Sequence, residues 1–306
     1  MPTWKRWENN NPQKLRFCGA PSRFDENYRK SKALKADFGA LLSKRDKRME
    51  LERINVRGVR ICNVTMDEAV EFLHAQIENG GAAAVYTPNA EIVQQCIDDN
   101  AFAQVINGAE LVVPDGVGVI KAARILGTPL KEKVAGVVLG ERILALAAKE
   151  GYPVFFFGGK DASRTETGQS VADRCKEIME QKYPGLSIVG TRDGYCKKEG
   201  AENDATIAAI NDSGAKILFV CLGAPLQEKW ICENRARLPG VQVILGLGGS
   251  LDVYSGNTKR APKWMVKLGL EWFYRLLCEP SRIGRMMQLP RFYFGTWAYK
   301  IKQKKS

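Results

Sequence analysis

With 306 residues, 45% of them hydrophobic, the chain is long enough to bury a full core and to form one or two domains. Its formal charge of +12 is carried at the ends: residues 1–53 hold 14 Lys/Arg against 7 Asp/Glu, residues 257–306 hold 12 against 2, and the body between is net −5. The single histidine, His74, in a helical pattern that puts it on a helix surface, argues against a Ser-His-Asp triad. One histidine and eight scattered cysteines without a CxxC pair argue against a multi-histidine or cysteine-rich metal site, and no apolar run approaches the roughly 18 residues of a membrane span. The basic ends point to a polyanion, either nucleic acid or an anionic lipid surface. For the N-terminal end a solvated tail is the plain alternative. MPTWKRWENN carries no secretory signal, so the thiols read as reduced and the chain as cytoplasmic.

Residues 1–53 are rich in Lys, Arg, Asn and Ser and read as a basic N-terminal extension, flexible or loosely helical. From Ile54 short β-rich runs alternate with helical stretches. INVRGVRICNV precedes TMDEAVEFLHAQIENG, which places His74 on a helix surface; GAAAVYTPN precedes AEIVQQCIDDNAFAQVINGA, and ELVVPDG precedes VGVIKAARILG. GYPVFFFGG then leads into the helical DASRTETGQSVADRCKEIMEQKY, LSIVGTRDGY into NDATIAAINDSG, and AKILFVCLGAP into LQEKWICENRARL, before a last strand, VQVILGLGG. Strands alternating with helices of ten or more residues build βαβ units around a mostly parallel sheet, and runs such as KILFVCLG suit strands covered on both faces. The predicted fold is α/β, doubly wound and Rossmann-like, over residues 54–256. Residues 257–306 form a basic, aromatic C-terminal helical appendage.

In such a sheet ligands bind beyond the C-terminal strand ends, which singles out five turns. Asp115 leaves ELVVP into a Gly-Val-Gly turn, where a carboxylate can act as a general base or simply cap the following helix. Thr87 and Asn89 can hydrogen-bond sugar hydroxyls or cap the helix from Ala90. Gly158 and Gly159 form a glycine turn leading to a helix N-terminus, a place for phosphate, but without G-x-G-x-x-G. Gly248 and Gly249, followed by Asp252, form a second turn that admits close backbone approach. Gln227 offers a neutral donor and acceptor for a pyrophosphate or sugar, or is an exposed helix residue. In the appendage Trp264, Leu268, Trp272 and Leu276 fall on one helical stripe, and Arg282, Arg285 and Arg291 follow among Met, Phe and Trp. That mixture suits an interfacial membrane helix better than a nucleic-acid surface; a helix packed on its own core is the alternative.

TPNAEIV, ELVVPDGVGV, KVAG, VFFFGGK, YPGLSIVGTRDGY, ILFVCLGAPLQEKW, LGLGGSLDVYSG and KRAPKWMVKLGLEWFYRLLCEPSR, in order from about Ile54 to about Phe294, together resemble the WecG/TagA/CpsF family of bacterial glycosyltransferases. The resemblance implies inverting transfer of N-acetylmannosamine from its UDP donor to undecaprenyl-diphosphate-linked N-acetylglucosamine, at the inner face of the cell membrane, in wall-polymer or surface-polysaccharide assembly. It implies a metal-independent enzyme without a cofactor, and leaves a homo-oligomer open. Residue by residue, it places the catalytic base on Asp115, further catalytic residues on Thr87, Asn89 and Gln227, and diphosphate-binding arginines on Arg275, Arg282 and Arg285. Where the family commonly has Arg before V-A-G this chain has Lys133, which keeps the charge but loses the bidentate fork. Another UDP-sugar, the uronic acid form or a hexose, is the alternative donor. Two rival classes are a nicotinamide oxidoreductase, disfavoured by the missing glycine fingerprint, and a non-catalytic membrane or nucleic-acid module, which leaves the polar residues at the strand ends unexplained.

Overall fold

The computed structural model describes residues 51–258, 261–262, 264–265, 271–278 and 283–305, without the side chains of residues 271, 275, 278, 285, 286, 304 and 305. Residues 1–50 of the N-terminal extension and Leu268 of the stripe lie outside these residues.

The first β-rich run is a hairpin, β1 (Arg53–Val56) and β2 (Val59–Cys62), paired antiparallel with Ile54 opposite Ile61. Arg57 and Gly58 at its turn both have positive φ, 55° and 96°, the backbone of a two-residue hairpin connection. It is separate from the main sheet, and Val112 N–H donates to Cys62 Sγ at 3.4 Å. The Arg53 guanidinium donates to the Ala109 and Glu110 carbonyls, both at 2.9 Å.

Helix α1 (Met66–Glu78) opens on a capping box, Thr65 with Glu68. Strand β3 (Ala83–Tyr86) is followed by two helices, not one. Asp99 ends α2 (Ala90–Asp98) in an extended conformation and caps α3 (Asn100–Asn107) by accepting from Phe102 N–H at 3.1 Å. The periodicity carried across this break because its apolar positions on both sides face the same core. Strand β4 (Leu111–Val112) leads to α4 (Val117–Leu126). Next comes α5 (Gly136–Glu150), a helix that the sequence reading passed over; its small and aliphatic residues blur a single stripe, since Gly136, Val137, Leu139, Gly140, Ile143 and Leu144 are all buried.

The remaining body is β5 (Val154–Gly158), α6 (Val171–Lys182), β6 (Ile188–Arg192), α7 (Gly200–Asp212), β7 (Ile217–Cys221), α8 (Leu226–Asn234), β8 (Val243–Gly246) and the short α9 (Ser250–Tyr254). The helix expected from Asp161 starts only at Val171, capped by Ser170. The intervening residues make a single 3-10 turn, Ala162–Arg164, in which the Asp161 carboxylate takes hydrogen bonds from Ser163 and Arg164, and this local bonding competes with helix. Beyond lie α10 (Glu271–Cys278), α11 (Ile283–Met286) and α12 (Gln288–Lys305).

The six main strands are parallel in the order β4-β3-β8-β7-β5-β6. Every residue of β3, β5, β7 and β8 is buried, as strands covered on both faces must be. Across the centre, Phe156 meets Phe219 edge-on at 5.3 Å and Phe157 meets Trp230 at 4.9 Å. The chain leaves β5 towards β6 on one side and leaves β7 towards β8 on the other, so the order reverses between β5 and β7 and opens a crevice there.

Candidate functional site

The loops after β3 and β4 are bound to each other through backbone. Val113 N–H donates to the Tyr86 carbonyl at 3.0 Å, and Asp115 N–H to that of Pro88 at 3.2 Å. Val134 N–H donates to Pro114 at 3.0 Å, which draws the segment carrying Lys133 alongside Asp115. Asp115 is half-buried. It is not the helix cap: Gly116, at φ +91°, occupies that position and α4 begins without a side-chain cap. Asn89, by contrast, does cap its helix, accepting from Ile92 N–H at 2.9 Å, while its residue remains exposed. Thr87 directs its hydroxyl to the Gly246 carbonyl at a long 3.5 Å.

Two glycines permit this convergence. A Cβ at position 118 would come within 2.8 Å of Ala90 Cβ, so α4 and the first turn of α2 touch backbone to side chain. A Cβ at position 136 would lie 3.0 Å from Thr87 Oγ1 and 3.3 Å from Leu247, which fits α5 against the ends of β3 and β8. The Tyr293 hydroxyl of α12 also reaches this place, 3.8 Å from where a Gly118 Cβ would sit, and burial raises the Tyr293 pKa.

Gln227 lies inward, only 3% exposed, and is not an exposed helix residue. Its Oε1 accepts from Gly248 N–H at 2.8 Å and Gly223 N–H at 3.2 Å, and its Nε2 donates to Glu228 Oε1 at 2.9 Å. Glu228, which the sequence reading did not single out, is 1% exposed, and burial raises its carboxyl to about 7. Gly249 precedes α9, and Asp252, half-buried, lies in that helix's first turn.

Gly158 and Gly159 sit at the reversal. Gly158 has φ +138°, and a Cβ there would overlap the Cys221 backbone, so β5 and β7 end in backbone contact. Gly159 donates to the Cys221 carbonyl at 3.3 Å and accepts from Gly194 at 2.9 Å. Beside it is an open cavity of about 480 Å³ whose walls include Asp161, Ser163, Arg192 and Asp193. Arg164 lies over the Tyr195 ring at 4.2 Å close by. The sequence reading named none of these as site residues; an acidic residue ending the strand after the glycine turn was the available signal. By strand spacing the glycine turn is about 19 Å from the Asp115 loop, four strand intervals away along the sheet edge.

The C-terminal segment contributes in two ways. Helix α12 packs across α2 and α4, with Phe292 and Thr296 buried and Arg291 in a two-pronged pair with Asp98 at 2.7 and 2.9 Å. Arg291 is thereby paired to the body. Its other side is open: Phe294 is 76% exposed and Trp297 53%, with Met287 and Ile283 close by in sequence and also exposed. Trp264 and Trp272 of the stripe are exposed as well. Arg282 and the side chains of Arg275 and Arg285 lie outside the described residues. Among the described residues no helix is long and apolar enough to cross a membrane.

The model of the glycosyl transferase WecG/TagA/CpsF family matches residues 54–306. The chain is 33% identical over 240 residues to the N-acetylglucosaminyldiphosphoundecaprenol N-acetyl-beta-D-mannosaminyltransferase of Bacillus subtilis strain 168, spanning 78% of this chain and 88% of that one. It is 35% identical over 216 residues to the protein of the same name from Bacillus spizizenii, spanning 71% and 79%.

Proposed function

The chain belongs to the WecG/TagA/CpsF family of glycosyltransferases, and from that premise we propose that it transfers N-acetylmannosamine, with inversion, from UDP-N-acetylmannosamine to polyprenyl-diphosphate-linked N-acetylglucosamine. The acceptor is what the names of its Bacillus relatives specify for those proteins. The observation that carries the reading is Asp115: a half-buried carboxylate at a strand end, held by its backbone and not used as the cap of α4.

In the reaction the acceptor sugar's 4-hydroxyl attacks the donor's anomeric carbon. A new C–O bond forms, the bond from that carbon to the UDP oxygen breaks, and Asp115 takes the hydroxyl proton. UDP leaves with the bonding pair. Lys133, beside the Asp115 loop, and Arg275, Arg282 and Arg285 compensate its charge without a metal ion. The four strand spacings, about 19 Å, between the Asp115 loop and the glycine turn suit an extended nucleotide-sugar laid along the strand ends, its sugar at Asp115 and its nucleoside end towards Gly159. The exposed apolar side chains of α11 and α12 rest on the inner face of the membrane, where the lipid-linked acceptor resides.

The test is release of UDP from a panel of UDP-sugars offered with a short-chain polyprenyl-diphosphate-N-acetylglucosamine, in EDTA. Turnover with UDP-N-acetylmannosamine above all others is the expected result. Preference for the uronic acid form or a hexose would reassign the donor, and no UDP release from any donor would overturn the reading.

A further inference from the structure

We propose that Glu228 is a positioning residue: by accepting from Gln227 Nε2 it fixes which way round the Gln227 amide sits, and so ties together the loops that leave β7 and β8. This deepens the reading of the strand ends as the donor site and rests on it only for its effect on turnover.

A glutamine amide has one accepting end and one donating end of nearly the same shape. At Gln227 the accepting end takes two backbone N–H groups, those of Gly223 and Gly248, and the donating end meets Glu228 Oε1. Turning the amide over would set NH2 against two N–H groups and oxygen against a carboxyl oxygen. The Glu228 acceptor and the two N–H groups therefore select the same orientation, the one in which both loops are held. Gly223 and Gly248 have φ of +82° and +52°, conformations favouring glycine, and neither brings a side chain of its own to fasten its loop. The amide also fits flush against the sheet, since a Cβ at position 246 would lie 3.4 Å from Gln227 Nε2.

Burying this carboxyl is costly. Glu228 Oε2 is buried and has no hydrogen-bond partner among the described residues. The Tyr86 hydroxyl donates to the Glu228 main-chain carbonyl at 3.1 Å, and the Cys96 thiol, which burial raises to about 12, lies near enough for the Glu228 charge to act on it. Burying a carboxyl with one oxygen unpartnered costs stability that an apolar side chain of similar size would not. A fold-only role does not explain its presence, whereas a site held in a defined shape does.

Three measurements on the full chain test this: thermal melting, KM and kcat for UDP-N-acetylmannosamine, and hydrogen exchange of the Gly223 and Gly248 amides. Glu228→Met should melt at or above the wild-type temperature, yet raise KM about tenfold with kcat little changed, and speed exchange at both glycines by about tenfold. Glu228→Gln, whose Oε1 can replace the acceptor, should restore most of both. Three results overturn the proposal: Glu228→Met with wild-type KM and protection; Glu228→Met losing fold and activity together; or Glu228→Gln as impaired as Glu228→Met. The exchange readout needs no substrate. If no donor is turned over but protection is lost in Glu228→Met and regained in Glu228→Gln, the loop tie stands and the transferase assignment fails.

Discussion

At Asp115 the backbone N–H bond to Pro88 holds the loop in place. Asp115→Asn keeps the N–H bond to Pro88 and the shape of the loop but removes the proton acceptor. Turnover should fall by about 10²–10⁴-fold with an unchanged melting temperature, measured on the same preparation. A near-normal rate would remove Asp115 from the role of base. Glu228 gives a second expectation, in stability. Burial raises its carboxyl from 4.5 to about 7, so the folded protein keeps a proton that the unfolded chain has released. Its contribution is fully present below about pH 4.5 and is lost as pH rises through about 7, on the order of 3 kcal/mol in all. Urea unfolding at a series of pH values should show that decline in the wild type and a flatter profile in Glu228→Gln. The residue types at both places were legible in the chain, but their roles were not. An aspartate before a helix is as good a cap as a base until Gly116 is seen in the capping position. Gln227, read as a ligand contact or an exposed helix residue, is buried, and only the packed loops supply the two N–H groups it binds.

Among elements, the decisive contacts are those between helices that begin at the site. Gly118→Ala would push its Cβ to 2.8 Å from Ala90, and α2 and α4 must part. Overpacking of this kind costs about 1–3 kcal/mol. Because those helices carry Asn89 and Asp115 at their starts, kcat/KM should fall more steeply than stability, as read by denaturant unfolding and turnover together. Helix α12 lies across the same pair. Phe292→Ala deletes a fully buried ring and should cost about 3–5 kcal/mol of packing, seen as faster hydrogen exchange along residues 288–305. Arg57 of the hairpin stacks on Tyr299 at 5.1 Å and lies 2.9 Å from where a Gly295 Cβ would be, so the first and last described elements meet. Removing everything from Asn257 would therefore uncover core as well as any membrane surface, and surface substitutions separate the two effects.

For the whole molecule, charge and apolar exposure converge on the C-terminal segment. Residues 257–306 carry a net +10, and Phe294 and Trp297 project from a helix whose other face is docked. The double variant Phe294→Glu with Trp297→Glu should reduce co-sedimentation with anionic phospholipid vesicles by about tenfold while leaving the melting temperature unchanged. Wild-type binding should weaken between 0.1 and 0.5 M salt, about the behaviour of a polybasic segment at a charged surface. Binding that ignores both changes would place the membrane contact elsewhere.

The sequence by itself determined the α/β class, the parallel sheet with strands buried on both faces, and the family, because these follow from periodicity and from an ordered set of motifs along the chain. It also pointed to the loops at the strand ends, since in a doubly wound sheet those ends define the crevice. Only the tertiary structure decided that Asp115 is not a cap, that Gln227 is a tie, that the helix after the glycine turn starts ten residues later than Asp161, and that α12 shares a face with the site. Each of these depends on which backbone groups and side chains arrive from segments distant in the chain, and spacing along one strand or helix carries no record of them.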